Sequence, residues 1–136
     1  MSQPLPPTRA PSPLTLQYLK DIGAAFNSRD VERIASYFHD DCIFWLALGP
    51  EFTGRSVVGK TAVRAMLAAR FKVIPDMHWA RLDEYLAGDS RGVTVWRVTG
   101  KSTDGSMLDY KGCDLYEFKD GLIWRKDTYW KNVRPD

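Results

Sequence analysis

Apolar positions along the chain follow two periods, and the change between them comes at Pro75. Before it the spacing is helical. Leu14, Tyr18, Ile22, Ala25 and Phe26 fall on one stripe and predict an amphipathic helix. The turn NSRD ends it, and Asp30 is placed to cap a second helix with Val31, Ile34, Ala35 and Phe38 on its apolar face, stopped by Asp40 and Asp41. CIFWLAL is dense in strand formers, GPEFTGRSVVG reads as loop, and TAVRAMLAARF returns to helical spacing through Val63, Met66, Leu67 and Phe71. After Pro75 come four strand-like runs, roughly 77–87, 91–101, 106–118 and 122–131. They are separated by GDS, TDGS and KDG, the residues of antiparallel hairpin turns.

The predicted order is helix, helix, strand, helix and a four-stranded meander, which makes an α+β domain. A strongly curved antiparallel sheet of this kind wraps around the N-terminal helices as a cone with one open end.

Composition narrows the classes of function. A chain of 136 residues with 44% hydrophobic and 26% charged positions suits one soluble globular domain with a single core. The net charge is +2, from 19 basic and 17 acidic residues without a Lys/Arg-rich run, so no partnership with nucleic acid is expected. No apolar stretch reaches the ~20 residues of a membrane span. The segment MSQPLPPTRAPSPL lacks the apolar centre of a secretory signal and holds five of the eight prolines. Residues 1–13 are therefore expected to be a disordered arm ahead of one domain over 14–136, in a cytoplasmic protein. Cys42 and Cys113 are too few for a disulfide framework and read as buried free thiols.

The stretch GRSVVGKT, residues 54–61, has the letters of a phosphate-binding loop. Its context argues otherwise. GPEFT separates it from the preceding strand, and hairpins follow it where parallel strands with crossover helices should. The glycines are expected to serve a turn. His39 beside Asp40 and Asp41 does not make a metal site, because adjacent side chains diverge and no second histidine is near. His78 reads as a structural strand histidine or as a base at a pocket mouth. Neither metal nor cofactor is expected.

One residue breaks its pattern. Asp114 lies in a strand row otherwise made of Leu108, Tyr110, Gly112, Tyr116 and Phe118. A carboxyl on an aromatic face must be paired, hydrogen-bonded or protonated, because an isolated buried carboxylate costs several kcal/mol, of order ~3 or more.

The segments AFNSRDVERIASYFHDDCIF, GRSVVGKTAVRAML and CDLYEFKDGLIWRKDTYW together resemble the nuclear transport factor 2-like superfamily, and within it the SnoaL-like polyketide cyclases and their ketosteroid isomerase relatives. The resemblance runs from Leu14 to Lys131. It implies a cystatin-like roll with a small-molecule pocket inside the cone, and a homodimer. Residue by residue, the isomerase base falls on Leu46, its tyrosine on Ile22 with Tyr18 one turn away, its protonated aspartate on Asp114 and its pocket aromatic on Trp130. The cyclase acid falls on Thr128, beside Asp127. Of the epoxide hydrolase set only the arginine finds a match, at Arg97, with Thr99 and Thr128 in the other places. None of the three sets is complete.

The resemblance places the Asp114 face inside the cone, with Tyr110 and Tyr116 as pocket walls beside Tyr18, Leu46, Thr128 and Trp130. Asp114 is then a neutral pocket acid donating to a substrate oxygen, or the ion-pair partner of Arg97. Alternation with Val95 and Thr99 turns Arg97 to the same interior, where it would assist electrostatically. Lys126 shares the Thr128 and Trp130 face, with its amine at the mouth. Thr94, Trp96 and Val98 are left outside, where a homodimer packed through the outer sheet face would cover them. The expected ligand is a small hydrophobic carbonyl compound. It would be turned over by acid/base chemistry in an isomerase, cyclase or dehydratase, or merely bound.

Overall fold

The computed structural model describes residues 13–136, so the arm expected over 1–13 lies outside the described residues except for Pro13. Helix α1 (Leu16–Ser28) begins where Thr15 Oγ1 accepts from the Tyr18 amide at 3.0 Å. It ends at Arg29, whose left-handed φ of 56° turns the chain. Asp30 caps α2 (Val31–Ala35) by accepting from the Glu32 and Arg33 amides. Two expectations shift here. Phe38 opens strand β1 (Phe38–Trp45) rather than closing α2, and Asp40 and Asp41 lie within that strand. The segment expected to be loop contains a short strand, β2 (Ser56–Val58), paired antiparallel with β1. Helix α3 (Lys60–Val73) follows, then β3 (His78–Leu86), β4 (Arg91–Lys101), β5 (Met107–Lys119) and β6 (Leu122–Trp130).

The six strands form one curved sheet in the order β2-β1-β6-β5-β4-β3. All neighbours are antiparallel except β1 and β6, which run parallel because the whole middle of the chain separates them. The β5–β6 turn is tight, with Asp120 at φ 54° and Gly121 at φ 74°, the pair of left-handed positions that a two-residue hairpin requires. Helices and the concave sheet face enclose the core: Leu19, Ile22, Ala25, Ile34, Phe38, Cys42, Val63 and Ile123 are almost fully buried. Desolvation pushes the Cys42 thiol up to about 11. Lys60 of the GRSVVGKT stretch is buried in the first turn of α3, and Ser56–Val58 is sheet. A phosphate cradle is therefore not formed. No helix among the described residues is long and apolar enough to cross a membrane.

Cross-strand partners share a face, so β5 fixes β4. Asp114 pairs with Thr94, Gly112 with Trp96 and Tyr110 with Val98. Thr94, Trp96 and Val98 therefore point inward, and Val93, Val95, Arg97 and Thr99 point outward, the reverse of what the sequence suggested. Trp96 and Val98 are core residues, 2% and 0% exposed.

Candidate active site

A row of polar side chains crosses the concave face. Glu84 of β3 pairs with Thr94 of β4, Thr94 with Asp114 of β5, and Asp114 with Thr128 of β6. Asp114 is the centre of the row. Its Oδ1 accepts from Lys126 Nζ at 2.7 Å and Thr128 Oγ1 at 2.6 Å, and its Oδ2 accepts from Trp96 Nε1 at 2.8 Å, with the Tyr116 hydroxyl at 3.4 Å. Every group around it is a donor. This is a cage for a carboxylate that accepts, not for a carboxyl that gives a proton away.

Arg97 is not its partner. It stands exposed on the outer face, where Nε and Nη2 bind Asp109 at 2.7 and 2.8 Å. That exposed pair holds the Asp109 carboxyl below, and the Arg97 guanidinium above, its ordinary range. Lys126 is the cation at Asp114, and both side chains are buried, 5% and 7% exposed. The ammonium also donates to Thr128 Oγ1 at 2.9 Å and sits 3.9 Å from the centre of the Phe44 ring. The lysine does not reach a solvent mouth. Burial pulls its pKa down, opposed by Asp114. Burial also pushes the Tyr116 hydroxyl well up, with the Asp114 charge adding to it.

The single pocket expected from the sequence is two cavities on either side of a wall. One, about 370 Å³, lies between α1 and strands β3 and β4. Asp114, Tyr116, Lys126 and Glu84 line it, with Phe26, Trp79 and Trp96 as its aromatic surface and the exposed His78 among its lining residues. The other, about 510 Å³, lies between α3 and the segment after β1, with Leu46 and Trp130 among its lining residues. A narrow space lined by Lys126 and Thr128 shares Met66, Arg70 and Trp130 with it. Tyr18 lines neither cavity: its hydroxyl donates to the Gly121 carbonyl at 2.6 Å and its ring packs edge-on against Tyr37 and Phe118 in the core. Tyr110 lines neither cavity as well and stacks on Trp130 at 5.3 Å.

The residue that sequence reasoning missed is Glu84. Its side chain is 5% exposed. Oε2 accepts from Thr94 Oγ1 at 2.8 Å, while Oε1 is buried with no hydrogen-bond partner, the nearest cation being Arg81 Nε at 3.9 Å. A bulge puts it there. Arg81 pairs with Trp96 and Asp83 with Val95, so Leu82 is the extra residue, and the alternation of β3 restarts one position later. Without the bulge Asp83 would point inward and Glu84 outward. Among the described residues no group of three or more His, Cys, Asp or Glu is placed to hold a metal ion.

The family model described as SnoaL-like domain matches residues 19–126. No protein of curated function matches the sequence. Among solved structures, a cystatin-fold protein of Novosphingobium aromaticivorans is 29% identical, with a TM-score of 0.71 over 86% of this chain and 97% of that one. An NTF2-like protein of Exiguobacterium sp. is 23% identical, with a TM-score of 0.72 over 85% and 99%. TerC, co-crystallized with polyporic acid, is 22% identical, with a TM-score of 0.70 over 85% and 89%. The last two likenesses are of fold alone.

Proposed function

The chain belongs to the SnoaL-like domain family of NTF2-like folds, and on that premise we propose that it is a cofactor-independent acid/base enzyme acting on a small hydrophobic carbonyl compound in the α1-side cavity. The observation that carries this reading is the buried Asp114–Lys126 pair in the wall of an aromatic cavity of ligand size. Such a pair contributes little to stability compared with apolar side chains of the same volume, so its placement at a cavity favours a functional role.

Each residue then has a task. Asp114 opposes the downward pull of burial on Lys126 and Thr128 orients it, the two using two of its three N–H groups. The ammonium also lies 3.9 Å from the centre of the Phe44 ring and 5.2 Å from that of Phe26. A substrate carbonyl oxygen in the α1-side cavity, which Phe26 and Lys126 both line, can accept from the third N–H. An ammonium there stabilises the negative charge that develops on that oxygen when a neighbouring carbon loses its proton. Glu84 Oε1, with no donor on it, takes that proton and returns it to another carbon. Asp114 thus acts by holding Lys126, and Arg97, on the far side of the sheet, takes no part.

A second reading has its own support: both oxygens of Asp114 are already occupied, as in a site that binds without turnover. The two separate in one experiment. Aryl ketones and 1,3-diketones are incubated with the protein in deuterium oxide, and exchange at the carbon next to the carbonyl is followed by NMR. Exchange above the buffer rate that disappears in Lys126→Met supports the enzyme. Ligand-induced shifts of cavity residues without exchange support the binder, and neither result would remove the pocket reading altogether.

For assembly, the outer sheet face carries Val93, Val95, Cys113, Leu115 and Tyr129, with Leu115 41% and Tyr129 53% exposed. Packing two copies through this face is the homodimer we favour, on a different residue set from the one the sequence suggested. Sedimentation at micromolar concentration checks it, and a monomer throughout would dismiss it.

A further inference from the structure

The α3-side cavity is apolar almost throughout, lined by Leu46, Met66, Val73, Ile74 and Leu108, yet Arg70 is among its lining residues. Among the described residues the Arg70 side chain makes no hydrogen bond or ion pair. The charge is desolvated there, and burial pulls its pKa down. Arg70 lies in the last turn of α3, where a basic side chain can serve the helix dipole, but Lys72 occupies that turn as well. An arginine with that task alone would leave its charge in water instead of in an apolar cavity. Trp130 lines the same space, and its indole Nε1–H is buried without an acceptor. The polar side chains among the lining residues, Arg70 and Trp130, are thus both donors, and no carboxylate lines the cavity with them.

We infer that the α3-side cavity binds an apolar carboxylate, its anionic head on Arg70 and its body among Leu46, Met66, Val73 and Leu108. The volume of about 510 Å³ suits a molecule of two fused rings or a comparable chain. A guanidinium fork matches a carboxylate with two parallel N–H···O bonds, which distinguishes it from the compact Lys126 ammonium beyond the wall. The two positive charges also repel, as seen in the lowering effect of Arg70 on Lys126. A bound anion relieves that repulsion. The inference does not rest on turnover at Glu84 and Lys126: it concerns the opposite side of the wall and is read by binding alone.

The test uses 2-naphthoate and its neutral analogue 2-naphthylmethanol with the full chain, followed by ¹H–¹⁵N spectra in which the Trp130 indole signal is assigned through Trp130→Phe. The expected result is saturable binding of 2-naphthoate that moves the Trp130 indole signal and the α3 amides, with the alcohol about tenfold or more weaker. Arg70→Met should abolish the preference for the anion and leave the alcohol unchanged, while Arg70→Lys should keep part of it. Thermal melts of both variants confirm that they are folded. Equal affinity for the two probes, an undiminished preference in Arg70→Met, or shifts confined to the α1-side residues would each overturn the inference. Carbonyl-compound exchange in the α1-side cavity is read separately, on Lys126→Met, while the preference for the anion is read by binding alone.

Discussion

Replacing Lys126 by Met is the sharpest test of the polar centre. Methionine fills the same space without the charge, so the change isolates the interaction with Asp114. In the intact protein Lys126 Nζ lies 2.7 Å from Asp114 Oδ1 with both side chains about 95% buried. Removing one partner of such a pair leaves a buried carboxylate held only by Trp96, Thr128 and the distant Tyr116 hydroxyl. Breaking a buried pair in this way costs about 3–5 kcal/mol. For a chain of this length that is a fall in Tm of roughly 10–20 °C. The double variant Lys126→Met/Asp114→Asn removes both charges and keeps an amide oxygen for one of the remaining donors. It should lie above the sum of the two single losses by about 1–3 kcal/mol. Urea denaturation at pH 7, followed by far-UV circular dichroism, gives all four free energies, and unchanged m-values confirm that the unfolded state is the same. Additivity within ~0.5 kcal/mol would refute the coupling of the pair. So would a loss below ~1 kcal/mol in Lys126→Met, and the cavity wall would then need another account.

The same lysine gives a pH signature. Because burial lowers its pKa in the folded state, the unfolded chain binds more protons between that lowered value and the ordinary ~10.4. The stability of the intact protein relative to Lys126→Met should therefore rise with pH through that window, and the lysine's penalty is complete below it; a flat or falling difference contradicts the assignment. Gly112→Ala puts a methyl 2.3 Å from the Tyr129 carbonyl oxygen and 2.6 Å from the Trp96 ring. It should cost about 1–3 kcal/mol and shift the Trp96 indole N–H signal as its bond to Asp114 is displaced; a neutral change would mean the sheet yields freely there. Arg97→Ala, on the outer face, should leave both exchange activity and ligand binding unchanged, and any large loss of either would return Arg97 to the site.

How much could be read beforehand depended on which signal was local. Helix α1, the α2 cap at Asp30 and the turns of the meander follow from side-chain spacing and turn chemistry, and these were legible. So was Asp114, a carboxyl on an apolar row. The face of β4 was lost because parity along one strand says only that Trp96 and Arg97 point oppositely, not which is inside. The cross-strand register decides that, and a slip of one residue exchanges the two faces. Once Asp114 is inward, its partner Thr94 must be inward too, and Arg97 out. Arg70 was within reach: it stands three, four and seven residues after Leu67, Met66 and Val63, on the apolar stripe of α3. A charge there breaks the pattern as Asp114 does. Glu84 was out of reach, because its inward aim depends on the bulge at Leu82, which nothing in the alternation of β3 announces.

That bulge makes Glu84 the residue on which structure and proposed chemistry part company. A buried carboxylate oxygen without a donor costs stability, and a protein selected for stability alone would have little reason to keep it. Glu84→Gln has nearly the same shape, removes the charge, and retains an amide oxygen for the Thr94 hydroxyl. If the carboxylate serves only the fold, through Thr94 and the long contact to Arg81, its loss should destabilise the protein and leave exchange alone. If it is the base, the two readouts move in opposite directions. Urea stability should hold or rise by up to about 1–2 kcal/mol as an unsatisfied charge disappears. Deuterium exchange next to the carbonyl should fall by a factor on the order of 10²–10⁴, the usual contribution of a positioned base. A stability loss above ~1 kcal/mol with exchange intact would assign Glu84 to the fold and leave proton abstraction without a residue.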